Sequence, residues 1–390
     1  MKIEELDKKI FRQFYDVAKG QFDLYTIFIE RSILTLKKKG KFGYIIPDAI
    51  LVRDTNYHIR SFILKKTTIR QIILAGKCFV GVDNSNSIII LSYPRFPGNV
   101  LTGIYIEAEY PENIRLISLL PKVKKGVYIN PLKQEDLWKQ KNKEFLINST
   151  THILEILNFL NETATPIGDF IEIGRGEEIG KKSCLILEEK KNKICLPIVA
   201  GEDFDRYQRI KTNKFILVKN VYKDRSFYKK GKIIFRQTSD TIRGTIDDCG
   251  VITLKSVYNV IPKKNISLKS LLCILNSTIC NWYYLQTFGI YRRTFPQINQ
   301  STFRNIPIKI PPTQQPFITL VDYMLFLNAT EERRTKEKEL IEFIDKQIID
   351  SLVYELYFKE KFVEDGLYPE AKEYLLEAIT KYLKPINYDR

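Results

Sequence analysis

The spacing of apolar residues changes along the chain, and each change marks a different element. Between Asp23 and Leu36 the residues Leu24, Ile27, Phe28 and Leu36 fall at helical spacing, which predicts an amphipathic helix. Lys37 to Lys39 and then Gly40 supply the charge and the glycine expected at its C-terminus. Phe42 to Ile46 is a short apolar run closed by Pro47-Asp48, and it reads as a buried strand. Arg60 to Leu64 sits in a second helix, and Ile69 to Ala75 and Ser87 to Tyr93 are two more β-type runs. The order helix–strand–helix–strand–strand is an α/β pattern.

The pattern weakens after Tyr93. Pro94 to Gly98 and the polar stretch Asn99 to Gln140 mark a boundary, and Glu144 to Leu160 reads as a helical spacer. From Gly168 onwards short β-type runs (Phe170–Ile173, Phe215–Val218, Lys232–Arg236, Val257–Ile261) alternate with Gly, Lys and Asn turns. Ser267 to Gln286 reads as one apolar helix, and the proline-rich Pro307 to Pro316 stops the pattern. Phe317 to Tyr357 is helical, with a stripe through Ile341, Ile344, Ile348, Leu352 and Leu356. The expected fold class is α+β: an α/β part over residues 1–110, a linker over 111–144, a β-rich mixed domain over 145–315 and a helical module over 316–390.

Composition narrows the function classes. Hydrophobic residues make up 44% of the 390 residues, enough for a packed core and too many for wholesale disorder. No apolar run reaches the ~18 residues that a membrane helix needs. The start, MKIEELDKKIFRQF, is charged and lacks the apolar stretch of a signal peptide, so a cytoplasmic protein is expected. The six cysteines form no C-x-x-C pair and only His58 and His152 are present, which argues against a zinc finger and against histidine-centred catalysis. Reduced, scattered thiols are the plain reading.

Charge points to a partner. The chain carries +16, and the window Arg206–Val321 holds 20 Lys/Arg against four acids, so the whole excess lies there. From Cys249 to Val321 there is no Asp or Glu. A solvated face usually mixes signs; this stretch does not, which suits a nucleic-acid surface where neutralised phosphates release counterions. Aromatics interleave with the charge at Trp282-Tyr283-Tyr284, Phe288, Tyr291 and Phe295, of which Trp282 and Tyr283 read as core. Tyr291, Arg292, Arg293 and Gln297 follow the glycine of TFGIYRR, so a loop is expected there. Arg and Gln on an exposed loop are side chains that can read base edges.

Several segments, taken in order, resemble one family. Gln21-Phe22-Asp23-Leu24-Tyr25, Phe28-Ile29-Glu30-Arg31-Ser32 and Gly43-Tyr44-Ile45-Ile46-Pro47 resemble the segment that follows the catalytic motif of N6-adenine DNA methyltransferases. Phe235-Arg236-Gln237-Thr238, Leu275-Asn276-Ser277, Phe303-Arg304-Asn305-Ile306-Pro307, Ile310-Pro311-Pro312, Ile344-Asp345 and Val353-Tyr354-Glu355-Leu356-Tyr357 resemble its C-terminal specificity domain. The group is the TaqI-like and Eco57I-like one, which includes single-chain type IIG restriction–modification enzymes.

That resemblance implies a doubly wound α/β methyltransferase domain, of which residues 1–110 are the C-terminal half, then a DNA target-recognition domain. It implies double-stranded DNA as partner, S-adenosylmethionine as the family's cofactor and a prokaryotic source. The family's Gly-rich cofactor loop and its Asn-Pro-Pro-Tyr tetrapeptide are not in this sequence. No catalytic residue is therefore expected here, and no cofactor is expected to bind this chain alone. A second chain carrying the N-terminal half, or a truncated gene product, would account for the difference. Three missing-neighbour consequences follow for the first part: too few helices to cover a parallel-type sheet, an open apolar edge and an incomplete base pocket.

Phe79 matches the family position whose ring stacks on the flipped adenine; otherwise it is a core residue at a strand end. The Gly174-Arg175-Gly176…Gly180 cluster lies in the specificity half and does not stand between a first strand and a helix, which argues against a cofactor loop. Arg175, Lys181 and Lys182 are candidate phosphate contacts, or a solvated hairpin. Arg236, Gln237 and Thr238, at a strand end in the basic window, are candidate base or phosphate contacts, or a local turn. Pro47-Asp48 lacks the following acid–x–Lys of a nuclease site and reads as a strand end. The rival readings are an intact single-chain methyltransferase with an unrecognised cofactor site, an interaction subunit that docks on a methyltransferase, and a non-functional remnant.

Overall fold

A computed structural model describes residues 3–76, 79, 85–93, 114–118, 128–147, 149–190, 194–263, 266–287, 297–329 and 335–364, with backbone alone for 114–118 and 128–131. Tyr291, Arg292 and Arg293 lie outside the described residues. The chain divides into two compact units, Met1–Phe159 with Gln286–Tyr291, and Leu160–Leu285 with Arg292–Arg390. Among the described residues no helix is long and apolar enough to cross a membrane.

The first unit contains α1 (Glu5–Phe14), α2 (Leu24–Leu34), β1 (Lys41–Pro47), α3 (Tyr57–Lys66), β2 (Thr68–Gly76), β3 (Asn86–Ser92), β4 (Ile114–Ser118), β5 (Tyr128–Leu132), α4 (Gln134–Lys139) and most of α5 (Thr151–Thr163). The five strands make one sheet in the order β1-β3-β2-β4-β5. β3 is antiparallel to both β1 and β2, β2 is parallel to β4, and β4 is antiparallel to β5. The sheet is therefore mixed rather than all parallel. Residues 77–85 are too few for the crossover of a dozen or more residues that a parallel β2–β3 pair requires.

The stretch expected to be a linker, 111–144, instead supplies β4, β5 and α4 to this sheet and its cover. Its polarity hides specific hydrogen bonding. The buried Gln134 accepts from Ile69 N–H (2.9 Å) and donates to the Thr67 carbonyl (3.0 Å), closing the α3–β2 junction. Arg60 is fully buried, and its guanidinium donates to the carbonyls of Ile50 (2.9 Å), Arg53 (2.9 Å) and Asn142 (2.8 Å). Leu137, Phe145, Leu146 and Ile147 complete the core on that side.

The other edge is open. Among the described residues no strand pairs with β1 on the side away from β3. Ile45 on β1 and Phe28 and Leu34 on α2 are exposed, as are Leu6, Ile10 and Phe14, which form one face of α1.

The second unit is built on two four-stranded sheets. One has the order β12 (Gly244–Asp247), β11 (Lys232–Arg236), β14 (Val257–Pro262), β7 (Ile171–Arg175). The other has the order β13 (Ile252–Thr253), β9 (Cys195–Val199), β10 (Phe215–Leu217), β8 (Ile186–Leu187). A two-residue pair joins β6 (Thr165–Pro166) to β15 (Pro307–Ile308). Ile198, Ile216, Ile252 and Leu254 form one core cluster, and Val199, Phe204, Ile234, Val251 and Val257 another.

The expected helix Ser267–Gln286 is two helices, α6 (Leu268–Asn276) and α7 (Thr278–Thr287). Ser277 breaks it by bonding back to the Ile274 carbonyl (2.6 Å), while Asp350 accepts from Thr278 N–H (2.7 Å) and starts the second helix. After α8 (Gln300–Arg304) the expected long helix appears as α9 (Gln315–Leu327), then α10 (Thr335–Phe343), a π-helical turn over 344–349 and α11 (Asp350–Glu364). Phe235 of β11 stacks on Phe303 of α8 with centroids 4.6 Å apart.

Candidate nucleic-acid interface

One turn gathers most of the residues singled out above. Leu254 to Val257 is a β-turn between β13 and β14, closed by Val257 N–H to the Leu254 carbonyl (2.9 Å). Three separate segments bind its two central residues. Arg175, at the end of β7, donates through Nε to the Lys255 carbonyl (3.2 Å). Gly201 N–H donates to Ser256 Oγ (3.2 Å), and Gln237 N–H, just past β11, donates to the Ser256 carbonyl (2.8 Å). Gln297 is then drawn in from a distant part of the sequence: Thr238 and Gln297 pair in an antiparallel bridge, and Ile298 N–H donates to the Gln237 carbonyl (2.8 Å). Thr238 and Gln297 are exposed and, being directly opposed, project on one face.

Lys181 ion-pairs with Glu202 (2.8 Å), the residue after Gly201, so the Lys181-Lys182 hairpin stands beside the same turn. That contact, with both groups largely exposed, holds the Glu202 carboxyl below its ordinary value and the Lys181 amine above its own. Lys182 is exposed. The structure thus collects Arg175, Lys181, Lys182, Gln237, Thr238 and Gln297, from four parts of the sequence, around residues 255–256.

Two expectations need correction. Arg236 is not a free contact. Its Nε (3.1 Å) and Nη2 donate to the Phe204 carbonyl and Asp205 lies 3.8 Å away, so the guanidinium fastens the loop after β9. The basic window is also not an unmixed positive face. Asp205 and Asp322, which border it in sequence, and the more distant Asp345 pair with cations inside it: Arg243 with Asp205 (2.7 Å), Lys269 with Asp322 (2.5 Å) and Arg206 with Asp345. Lys232 is buried against Asp247. Burial raises the Asp205 carboxyl, but the hydrogen bonds from Arg243 and from Arg206 N–H outweigh it and hold the group below its ordinary 3.8.

Gly174 and Gly176 are both closely packed. A Cβ at Gly176 would lie 2.2 Å from the Thr253 carbonyl oxygen and 2.4 Å from that of Leu254, and one at Gly174 would meet the Phe227 ring at 2.7 Å. Both glycines allow close packing beside β7. A cavity of about 370 Å³ elsewhere in this unit is lined by Arg206, Arg243, Asn276, Trp282 and Lys346, whose cations are already paired with carboxylates. Among the described residues no group of three His, Cys, Asp or Glu side chains is placed to hold a metal. In the first unit Phe79 is 51% exposed beyond the end of β2, so it is not a core residue.

Two protein-family models match the sequence: the TaqI-like C-terminal specificity domain over residues 196–308 and the Eco57I restriction-modification methylase over residues 1–79. Segments of the chain thus match a TaqI-like specificity domain and the Eco57I-type methylase family. A Methanocaldococcus jannaschii protein named as a type II restriction enzyme and methyltransferase is 25% identical over 360 residues, 89% of this chain and 30% of its own length. The type II restriction enzyme and methyltransferase RM.Eco57I of Escherichia coli is 38% identical over 73 residues, 19% of this chain and 7% of its own length. The type IIG restriction endonuclease BpuSI is a solved structure similar at 12% identity and a TM-score of 0.34, over 92% of this chain and 53% of that one. The chain thus spans about a third or less of the length of these two relatives. The matched specificity segment contains the 254–257 turn, Gln237, Thr238 and Gln297, whereas Arg175, Lys181 and Lys182 precede it.

Proposed function

We propose that this chain is the DNA-recognising part of a site-specific adenine-N6 methyltransferase of restriction–modification type. The observation that carries the reading is the gathering of Arg175, Lys181, Gln237, Thr238 and Gln297 around one rigid turn inside a TaqI-like specificity domain. Phosphate contacts from Arg175, Lys181 and Lys182 set the register of the duplex, and the amides of Gln237 and Gln297 with the Thr238 hydroxyl read base edges. Tyr291, Arg292 and Arg293 belong to the same proposal, because the segment they occupy runs into Gln297.

Methyl transfer belongs to the complete enzyme. S-adenosylmethionine would be bound by sequence other than Gly174 and Gly176, where a Cβ would meet the Phe227 ring and the Thr253 and Leu254 carbonyls. The open edge of β1 and the exposed apolar face of α1 support a polypeptide partner that supplies the remaining half of a doubly wound domain, and Phe79 would then form one wall of the flipped-base pocket. Pure docking without DNA contact is disfavoured by exposed, paired Thr238 and Gln297.

The test is selection of duplex DNA from a random pool by the full chain, followed by titration of the selected site. Gln237→Ala with Gln297→Ala should relax discrimination at the positions read, by about 1–3 kcal/mol per lost base contact. Absence of any selected sequence from the wild-type chain would count against the reading. Titration with S-adenosylmethionine separates the single-chain rival, which requires binding where this reading expects none.

A further inference from the structure

The turn that organises the interface carries a lysine that its sequence neighbourhood did not single out. Lys255 is exposed on a backbone held from several sides. Leu254 N–H donates to the Val199 carbonyl (2.9 Å), Glu177 N–H to the Thr253 carbonyl (2.8 Å) and Gly176 N–H to the Val257 carbonyl (2.9 Å). Arg175 then bonds the Lys255 carbonyl itself, and Gly201 and Gln237 bond Ser256. The Arg175, Gly201 and Gln237 segments dock directly on this turn, and Gln297 joins through Gln237 and Thr238.

The local carboxylates are already engaged. Glu178 lies 3.9 Å from Arg175 and 3.7 Å from Lys223, and Glu202 lies 2.8 Å from Lys181. Among the described residues no carboxylate pairs with Lys255. Its neighbours Arg175 and Lys181 must share their charge with Glu178 and Glu202, while the Lys255 ammonium keeps its own.

We infer that Lys255 is a principal phosphate contact of the DNA interface, a point charge that sets the distance between the sugar–phosphate backbone and the readout pair Thr238 and Gln297. The inference rests on the proposed function. A four-carbon arm on a fixed turn reaches outward without moving the sheet, and the hydrogen bonds of the turn come from backbone atoms and Ser256, so the Lys255 side chain is dispensable for folding.

Binding of the full chain to a mixed-sequence duplex is measured from low to moderate salt for wild type, Lys255→Gln, Lys255→Arg and Lys219→Gln, the last an exposed lysine of the same unit with no hydrogen bond or ion pair to the 254–257 turn. Thermal midpoints check that each variant is folded. Lys255→Gln should make the slope of log affinity against log salt shallower by about 0.9 unit, the signature of one lost phosphate contact. Lys255→Arg should restore it, and Lys219→Gln should leave it unchanged. Equal slopes for wild type and Lys255→Gln, or equal losses for Lys255→Gln and Lys219→Gln, overturn the inference while the DNA-binding reading stands. A wild-type chain that does not bind duplex DNA overturns that reading first.

Discussion

Single residues in this molecule do work that their type alone would not suggest. Gly176 is needed because two carbonyl oxygens occupy the space of a side chain, so Gly176→Ala should cost about 1–3 kcal/mol or more in a urea unfolding series. Asp205 accepts from both Arg243 and the Arg206 backbone, and its depressed pKa has a definite consequence for stability. A carboxyl that ionises more readily when folded stabilises the fold fully above its unfolded value of 3.8, and that stability is lost as pH falls through the lower folded value. The urea midpoint should therefore drop as pH is lowered below about 4, and Asp205→Asn should start lower at neutral pH and fall less steeply. Arg236 shows the opposite lesson. A strand-end arginine in a basic window looks like a contact residue, yet here a single carbonyl, that of Phe204, takes two of its donors.

Elements are tied together by polar groups that reach between them. Asp350 begins α11 and caps α7, so Asp350→Ala should lower the thermal midpoint by an amount equivalent to about 1 kcal/mol and speed amide exchange at Thr278. Periodicity found β1, β2, β3, β11 and β14 because each alternates or runs apolar over several residues, and a pleated strand buried on one or both faces leaves that trace locally. It missed β4, β5 and α4. Gln134 shows why: a polar residue reads as exposed until its amide is seen filling the α3–β2 junction. The single helix over Ser267–Gln286 failed for the same kind of reason, since the capping group that divides it comes from a residue 72 positions from Thr278.

At the scale of the whole molecule, net charge and charge placement separate. The +16 excess predicts a polyanion partner, and affinity for duplex DNA should fall steeply as salt is raised; a flat dependence measured by titration would remove the phosphate-tracking interface. The window that holds the excess is not a bare positive face, because carboxylates from outside it fold back onto its arginines and lysines. The edge at the 254–257 turn presents Lys182, Lys255, Thr238 and Gln297 as exposed residues, with nearby cations shared with acids, and Lys219, Arg225, Lys229 and Lys230 of the window are exposed as well. Among its described residues the first unit presents an edge strand and an amphipathic helix with exposed apolar residues.

The amino-acid sequence by itself determined the mixed α/β character, the cationic excess and the short polar motifs at strand ends, because periodicity, charge and local turn chemistry are properties of neighbouring residues. Tertiary structure alone decided which motifs meet: that Arg175, Gly201 and Gln237 converge on Lys255-Ser256, that Gln297 pairs with Thr238 beside them, and that Arg236 turns inward. The physical reason is that backbone donors and acceptors must be satisfied wherever the chain crosses itself, and those crossings join residues far apart in sequence.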